Sequence, residues 1–266
     1  WLPEAGPLAV DPGILRAAKA AHALSLMLHQ WDDHLCDGHM PVNLVTLQFR
    51  TVAWQRFLAE CRELCRQLGV GMDVVEEHTT TYLSSLRYAR VTGDLDTYCR
   101  RFTRQIGIWT LIPHQLGRFV AGPGAGRALR RIIEEFGICW RVLDDIQDAQ
   151  EDVRDGAFTA VLCALDAEGI RRWDRCNESR SAEGELDSRA WGRLAECIRQ
   201  PDCLGRLLTR IDRLMRRSIQ TAESQHWPGL AHELEQLRQG LDAARHAKHA
   251  KLTPATEPRR VSARSS

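Results

Sequence analysis

The chain has 266 residues, and its 36 Lys and Arg nearly balance its 35 Asp and Glu, leaving a net charge of +1. This balance excludes the general basic field that is typical of nucleic-acid-binding proteins. No apolar run is long enough to span a membrane, no secretory signal is recognisable, and the nine cysteines show no CxxC pair or zinc-ligand spacing. The sequence therefore predicts a cytoplasmic protein with reduced thiols.

Long helical segments, separated by glycine and proline, dominate the first half of the chain. Residues 1–13 are rich in Pro and Gly and predict an irregular lead-in. Pro113 is expected to kink one of the helices, and AGPGAG at residues 121–126 is expected to be a loop. The predicted helices of this half cover residues 14–36, 42–68, 72–91, 94 to about 120, and 127 to about 155.

Shorter amphipathic segments follow in the second half. A polar loop is expected at residues 177–188, and the tail at 253–266, rich in Pro, Ser and Arg, is predicted to be disordered. No stretch shows the alternation of a strand, so the sequence predicts an all-α protein with one domain of long antiparallel helices over residues 14–252. The predicted helices of this half cover residues 158–170, 189–200, 203–225 and 229–248.

The most distinctive stretch is an acidic run, RVLDDIQDAQEDVRDG, at residues 141–156. Asp144, Asp148 and Asp152 recur every four residues, which stacks three carboxylates along one face of a helix. Like charges at this spacing destabilise a helix unless a cation neutralises them. A single such run is usually a solvated face, but this one follows a strongly apolar segment and ends at Gly156.

A second acidic stretch, SLMLHQWDDHLCDG at residues 25–38, ends the first predicted helix. Asp33 and Asp37 lie one helical turn apart, Asp32 precedes them, and Gly38 closes the helix. The chain therefore offers two helices that each carry carboxylates near the C-terminal end. Two such runs, both following apolar sequence, favour a binding site over two solvated faces.

Carboxylate pairs of this kind suit Mg²⁺, which prefers oxygen ligands and keeps its other positions for water and substrate phosphates. The pattern indicates several Mg²⁺ ions that hold a diphosphate between two helices and neutralise its charge as it leaves. A mixed site with His34 and His39 stays open as an alternative. The di-iron pattern of helical bundles needs two Glu-x-x-His pairs, and only Glu223 with His226 supplies one.

The acidic run at 141–156 resembles the second aspartate-rich motif of trans-isoprenyl diphosphate synthases, which opens DDxxD and continues with an Asp four residues further on. WDDHLCDG resembles the first motif of that family, with the spacing DDxxxD. The spacings of Asp33 with Asp37, and of Asp148 with Glu151 and Asp152, are also similar to the motifs of squalene and phytoene synthases.

This resemblance, over about residues 14–160, implies the class I isoprenoid synthase fold, a helical bundle around a central cavity. It implies a prenyl diphosphate substrate and three Mg²⁺ ions, two on the first acidic stretch and one on the second. A homodimer is expected from the resemblance alone. The metal-binding candidates are Asp32, Asp33, Asp37, Asp144, Asp145, Asp148 and Asp152, with catalysis assigned to Asp32, Asp33, Asp37, Asp144 and Asp148. The role of Asp145 has an alternative, which is to hold an arginine or a water.

Arginines and aromatic residues complete the predicted site. Diphosphate contacts are expected from Arg87, Arg90 and Arg141, because the arginine fork of donors matches phosphate geometry. The first two have the alternative of a solvated helix end, and Arg141 that of an intrahelical ion pair with the acidic run. Aromatic faces that stabilise a carbocation are expected in the cavity wall, although each has the alternative of ordinary core. These are Trp31, Tyr88, Trp109, Phe136 and Trp140.

The departures from the family pattern favour a class I terpene cyclase that ionises one allylic prenyl diphosphate. After the first motif no arginine follows until Arg50, and Ala157 stands where the resemblance predicts a lysine. The Gly-Lys and Arg signature for isopentenyl diphosphate is missing, as is the Asn/Ser/Glu triad of many microbial cyclases. Two alternatives remain. One is a prenyltransferase that elongates a chain, joins two prenyl diphosphates or uses another acceptor, and the other is a non-catalytic prenyl synthase subunit.

Overall fold

A computed structural model describes residues 10–36, 38–86, 94–181 and 184–252, with side chains as far as residue 241. Within these ranges every regular element is a helix, which confirms the predicted all-α class. The finer expectation of the isoprenoid synthase bundle stays a prediction. The lead-in predicted for residues 1–13 lies outside the described residues as far as residue 9, and so does the whole predicted tail at 253–266.

The described chain consists of eleven α-helices and a π-helical turn at Pro201–Gly205. No helix in these ranges combines the length and the apolar composition needed to cross a membrane. No disulfide joins any of the nine cysteines. The helices are α1 (Pro12–Cys36), α2 (Leu44–Leu68), α3 (Asp73–Leu86), α4 (Leu95–Gln105), α5 (Gly107–Gln147), α6 (Ala149–Asp155), α7 (Ala160–Ala164), α8 (Ala167–Glu178), α9 (Ser188–Arg199), α10 (Arg206–Ser224) and α11 (Pro228–Leu252).

Helices α1 and α2 form an antiparallel hairpin, and the first acidic stretch lies beside its turn. Helix α2 begins with a capping box, in which the Asn43 side chain accepts hydrogen bonds from the backbone N–H groups of Val45 and Thr46 at 3.0 and 3.1 Å. It ends at Gly69, whose φ of 65° is the left-handed conformation that favours glycine. These local signals fix both ends of the helix that packs against α1.

The loop predicted at residues 121–126 is wrong in length, because only two residues leave the helical conformation. Ala121 and Gly122 break α5, with Gly122 at a φ of 86°, and Pro123 begins the second segment. The remaining residues of AGPGAG belong to that segment and are used for packing. The backbone around Pro113 keeps helical dihedral angles, whereas the helix predicted from residue 94 to about 120 is divided at Ile106.

Close backbone contact holds the two segments of α5 together beside the break. A Cβ atom added at Gly126 would lie 2.7 Å from the backbone oxygen of His114, and one added at Gly117 would lie 3.3 Å from the Cα atom of Gly126. Both glycines are buried. Only residues without a side chain allow these backbones to approach so closely.

The second acidic stretch spans two helices instead of the single helix predicted at 127–155. Asp148, at φ −99° and ψ 12°, separates α5 from α6. The turn nevertheless continues, because the N–H of Asp148 donates to the oxygen of Asp144 and that of Asp152 to the oxygen of Asp148, both at 2.9 Å. Gly156 closes α6 in the left-handed conformation, as predicted. The helix predicted at 158–170 is likewise divided into α7 and α8.

We expect Gly126→Ala to lower the free energy of unfolding by about 1–3 kcal/mol, because its methyl group overlaps the His114 carbonyl. Chemical denaturation monitored by circular dichroism measures this loss. The matched control is Gly124→Ala, two residues earlier in the same segment, where nothing lies within 4 Å of an added Cβ. The control should be neutral or stabilising by up to about 1 kcal/mol. Equal effects of the two substitutions would contradict the close contact.

Candidate functional site

The two acidic stretches meet across one arginine, Arg141 on α5. Its Nη1 atom lies 3.9 Å from Oδ1 of Asp33 on α1 and 3.7 Å from Oδ2 of Asp144 on α5. Both distances exceed the hydrogen-bond range, so these carboxylates keep oxygens that are not bound to the guanidinium. The structure therefore places Asp33 opposite Asp144, with a positive charge between them.

Arg141 is held from behind by hydrogen bonds to buried groups. Its Nε lies 3.0 Å from Oδ1 of Asp145 and donates to the hydroxyl of Tyr98 at 3.1 Å, and its guanidinium carbon lies 5.9 Å from the ring centre of Phe102. Burial alone would lower the pKa of this guanidinium. Tyr98 and Asp145 raise it by more than burial lowers it, so the pKa lies above the ordinary arginine value and the group stays charged. The intrahelical ion pair expected as the alternative role of Arg141 is therefore present, with Asp145. Arg141 also approaches Asp33 on α1.

Asp145 is buried and fully supplied with donors. Its Oδ2 accepts hydrogen bonds at 2.6 Å from the Tyr98 hydroxyl and at 2.6 Å from the backbone N–H of Ala160, the first residue of α7. With Oδ1 beside Arg141, this one carboxylate joins α4, α5 and α7. The contact with Arg141 matches the alternative role for Asp145, which was to hold an arginine.

Asp32 is buried in a comparable arrangement on the other helix. Arg50 of α2 binds both carboxylate oxygens, with Nη2 at 3.1 Å from Oδ2, and the Tyr82 hydroxyl of α3 donates to Oδ2 at 2.8 Å. A buried carboxylate costs several kcal/mol unless it is paired and hydrogen-bonded, so these contacts are what allow Asp32 to be inside. We therefore leave Asp32 and Asp145 out of the metal ligands proposed below, although the sequence makes both of them candidates.

Each Asp-Asp pair thus contains one buried residue and one residue at the gap between α1 and α5, which is the space around Arg141 where Asp33 and Asp144 face each other. Asp32 and Asp145 are about 2% exposed, whereas the side chains of Asp33 and Asp144 are 40% and 43% exposed. Adjacent residues on a helix point about 100° apart, which explains the different surroundings. The first two aspartates of each motif therefore divide between holding the fold together and facing the opposite helix.

Two carboxylates of the second acidic stretch, those of Asp144 and Asp152, have too little positive charge nearby to offset their burial. Burial raises the pKa of Asp144, and although Arg141 lowers it, Asp148 and Asp33 add to the rise. Burial and the negative charge of Asp145 raise the pKa of Asp152 to about 8. The Oδ2 atom of Asp152 is buried without a hydrogen-bond partner. A cation bound at this edge of the site would supply the missing positive charge.

The donor chemistry at the gap fits Mg²⁺, but the described residues do not yet form a ligand set. Within 10–36, 38–86, 94–181 and 184–252, no three His, Cys, Asp or Glu side chains are gathered closely enough to hold a metal ion. Asp37 lies outside these residues. The rings of His34 and His39 lie 5.7 Å apart, yet they belong to no such group either.

The turn after α1 influences the end of α6 electrostatically. Arg154 lowers the pKa of Asp155, and the charge of His39, just after the first acidic stretch, lowers it further. Arg87, Tyr88 and Arg90, predicted to bind diphosphate or line the cavity, lie outside the described residues.

One predicted aromatic residue, Trp109, lies close to the gap. It is buried and packs edge-on against His29, with ring centres 4.7 Å apart. His29 is one helical turn before Asp33, and Phe102 lies 6.1 Å from it. Burial lowers the pKa of His29, so its ring is neutral at pH 7. The sequence analysis missed His29, although its spacing of four from Asp33 was a visible signal.

The other described aromatic candidates lie elsewhere. Trp31 packs against Phe49 of α2, with ring centres 6.1 Å apart. Phe136 and Trp140 line a groove of about 550 Å³ between α5 and α11, together with Leu237. Trp140 is 54% exposed. Residues 136 and 140 lie on a face of α5 roughly 120° away from that of Arg141 and Asp145. The structure thus corrects the assignment of Phe136 and Trp140 to the cavity wall, because they face α11.

A scan against protein-family models, a search of curated proteins and a search of solved structures each found no match for this chain.

Replacing Asp145 with Asn should lower the free energy of unfolding by about 2–4 kcal/mol, because it removes the buried carboxylate that pairs with the partly buried Arg141. Urea denaturation measures the change. Asp155→Asn is the matched control, since it breaks an exposed pair with Arg154 on the neighbouring helix and should cost less than about 1 kcal/mol. Similar losses for both variants would show that the Arg141 pair is not buried in solution.

Asp152 should make the protein less stable as the pH rises from about 4 to about 8. The folded-state pKa of about 8 exceeds the unfolded value near 4, so the folded chain binds this proton more tightly. The stabilisation of the fold by the proton on Asp152 is fully present below about pH 4 and is lost by about pH 8. Asp152→Asn, which cannot ionise, should therefore melt at a higher temperature than the wild type at pH 8 but not at pH 4. Asp174→Asn, at an exposed position on α8, should show no such pH-dependent difference.

Proposed function

We propose that the chain binds an allylic prenyl diphosphate with Mg²⁺ at the gap between α1 and α5 and ionises it, as class I terpene cyclases do. The bond between the allylic carbon and the diphosphate oxygen breaks, and both of its electrons leave with the diphosphate. The allylic cation then cyclises and loses a proton or captures water. The observation that carries this proposal is the approach of Asp33 and Asp144 to the same nitrogen of Arg141 from opposite helices.

Asp33, Asp144 and Asp148 are the ligands that we propose for Mg²⁺, with Asp152 behind them. Support comes from their all-oxygen chemistry, from the exposed positions of Asp33 and Asp144, and from the unpartnered Oδ2 of Asp152. Mg²⁺ supplies the charge that neutralises the departing diphosphate. Since these carboxylates are not gathered around a metal position in the described residues, we propose that ion and diphosphate draw them together on binding.

Arg141 would contact the diphosphate through the edge of the guanidinium that faces Asp33 and Asp144. Asp145 and Tyr98 fix the opposite edge, so the position of the donor is set before a ligand arrives. A preorganised donor stabilises developing negative charge without reorganisation at the moment of bond breaking. The assignment of Asp145 and Tyr98 is therefore to position Arg141, not to touch the substrate.

The hydrocarbon chain would extend from the gap past His29, Phe102 and Trp109. The ring centres of Phe102 and Trp109 lie 6.1 and 4.7 Å from that of His29. Their faces attract a cation, and the apolar surroundings exclude water from it. Prenyl transfer would use the same ionisation step with a different acceptor, so product analysis separates the two reactions.

Incubation with Mg²⁺ and geranyl, farnesyl or geranylgeranyl diphosphate, followed by mass spectrometry of extracts, tests the reaction. A cyclic hydrocarbon or alcohol from one diphosphate alone is the expected result. Longer diphosphates that appear only when isopentenyl diphosphate is added would contradict cyclisation and establish chain elongation. No consumption of any diphosphate, with or without isopentenyl diphosphate, would contradict the ionisation step itself.

Asp33→Asn and Asp144→Asn should each reduce turnover by about 100-fold while leaving the melting temperature nearly unchanged, because both side chains are partly exposed. Asp32→Asn should instead lower the melting temperature, since it breaks the buried contact with Arg50. Asp174→Asn serves as the control and should change neither quantity. Unchanged turnover in the first two variants would place the metal elsewhere.

A further inference from the structure

A second pocket, of about 670 Å³, lies between α3 and α4. The charged residues of its described lining are Arg100, Arg101 and Arg104 of α4, with no carboxylate among the described lining residues. In contrast, the buried sides of Arg50 and Arg141 are matched by Asp32 and Asp145. The described protein compensates the pocket arginines only in part, because, in addition to the Thr97 N–H, Arg100 also lowers the pKa of Asp94 at the start of α4.

Hydroxyl groups supply the rest of the polar lining. Thr80, Thr81 and Ser84 come from successive turns of α3, and Thr97 from the first turn of α4. The Thr97 hydroxyl accepts a hydrogen bond at 2.8 Å from Nη2 of Arg100, which orients that guanidinium. Hydroxyls and guanidinium groups together offer many hydrogen-bond donors in one concave space.

This pocket is distinct from the gap between the acidic stretches. Tyr98 and Phe102, on another face of α4, contact Asp145 and Arg141. Arg100 and Arg104 are rotated from them by roughly 160–240° around the helix axis, at about 100° per residue. Arg100 and Arg104 therefore lie on the side of α4 that faces away from the acidic site, and Arg101 lies between the two sides.

We propose that the pocket binds a small phosphorylated ligand with at least two phosphoryl charges. Arginine forks match the geometry of phosphate oxygens, and three of them without a carboxylate repel one another until an anion is bound. A volume of about 670 Å³ exceeds the needs of a lone phosphate and leaves space for an organic group.

Isothermal titration calorimetry of the full chain with inorganic pyrophosphate, in EDTA, tests this site. Without divalent metal the acidic site repels the anion, so binding under these conditions is independent of the prenyl diphosphate proposal. We expect saturable binding of pyrophosphate at least tenfold tighter than that of sulfate. No saturable binding, or equal affinities for pyrophosphate and sulfate, would overturn the proposal.

The variant Arg100→Gln with Arg104→Gln should weaken pyrophosphate binding at least tenfold. Both residues are exposed, so the fold should tolerate the change, and a melting curve verifies this. Arg127→Gln with Arg131→Gln removes the same charge from two exposed residues of α5 and should stay within about twofold of the wild type. Arg101→Gln alone provides a second variant and should also weaken binding. Equal weakening by the control pair would show that only net charge matters, and no weakening by the pocket variants would show that these arginines do not bind the anion; either result would overturn the proposal.

Discussion

A buried carboxylate has to be paired, and the pairing of Asp145 with Arg141 and Tyr98 is the interaction around which the site is arranged. Asp145 also accepts the hydrogen bond of the Ala160 N–H, so α4, α5 and α7 meet at one carboxylate. The network fixes one edge of Arg141 and leaves the other directed at Asp33 and Asp144. The contacts of Arg141 with Asp145 and Tyr98 therefore determine how Arg141 faces Asp33 and Asp144 at the gap.

A second buried hydrogen-bond network, around Asp32 on α1, positions the carboxylate on the other side of the gap. Asp32 ties α1 to α2 through Arg50 and to α3 through Tyr82. Its neighbour Asp33 is then placed at the gap, as Asp144 is by Asp145. In each Asp-Asp dipeptide one residue holds the helix and the other is available for chemistry, although the buried residue comes first in Asp32-Asp33 and second in Asp144-Asp145.

The sequence predicted the helical class and most helix positions, because apolar periodicity, capping residues and glycines act locally. It also identified both acidic stretches, and four-residue spacing placed Asp144, Asp148 and Asp152 on three successive turns. It could not separate Asp32 from Asp33, because that depends on Arg50, 18 positions away, and on Tyr82, 50 positions away. Nor could it place Trp140, since the helix face that α11 covers is decided by tertiary packing.

The length of the helix break at residues 121–126 was also not predictable from local sequence. Glycine and proline mark a break correctly, but glycine also permits close packing, and Gly126 is used for contact with His114. Local composition does not distinguish these two uses. The missing compensation at Asp152 is also a tertiary property, because its surroundings and the charge of Asp145 produce it.

A crystal structure of the chain with Mg²⁺ and pyrophosphate would test the proposed site directly. We expect pyrophosphate between α1 and α5, with Arg141 in contact with it and Mg²⁺ bound by Asp33 on one side and by Asp144 or Asp148 on the other. Asp145 and Tyr98 should still hold Arg141. Pyrophosphate and Mg²⁺ bound away from this gap, or Asp33 and Asp144 facing separate regions of solvent, would contradict the proposed site.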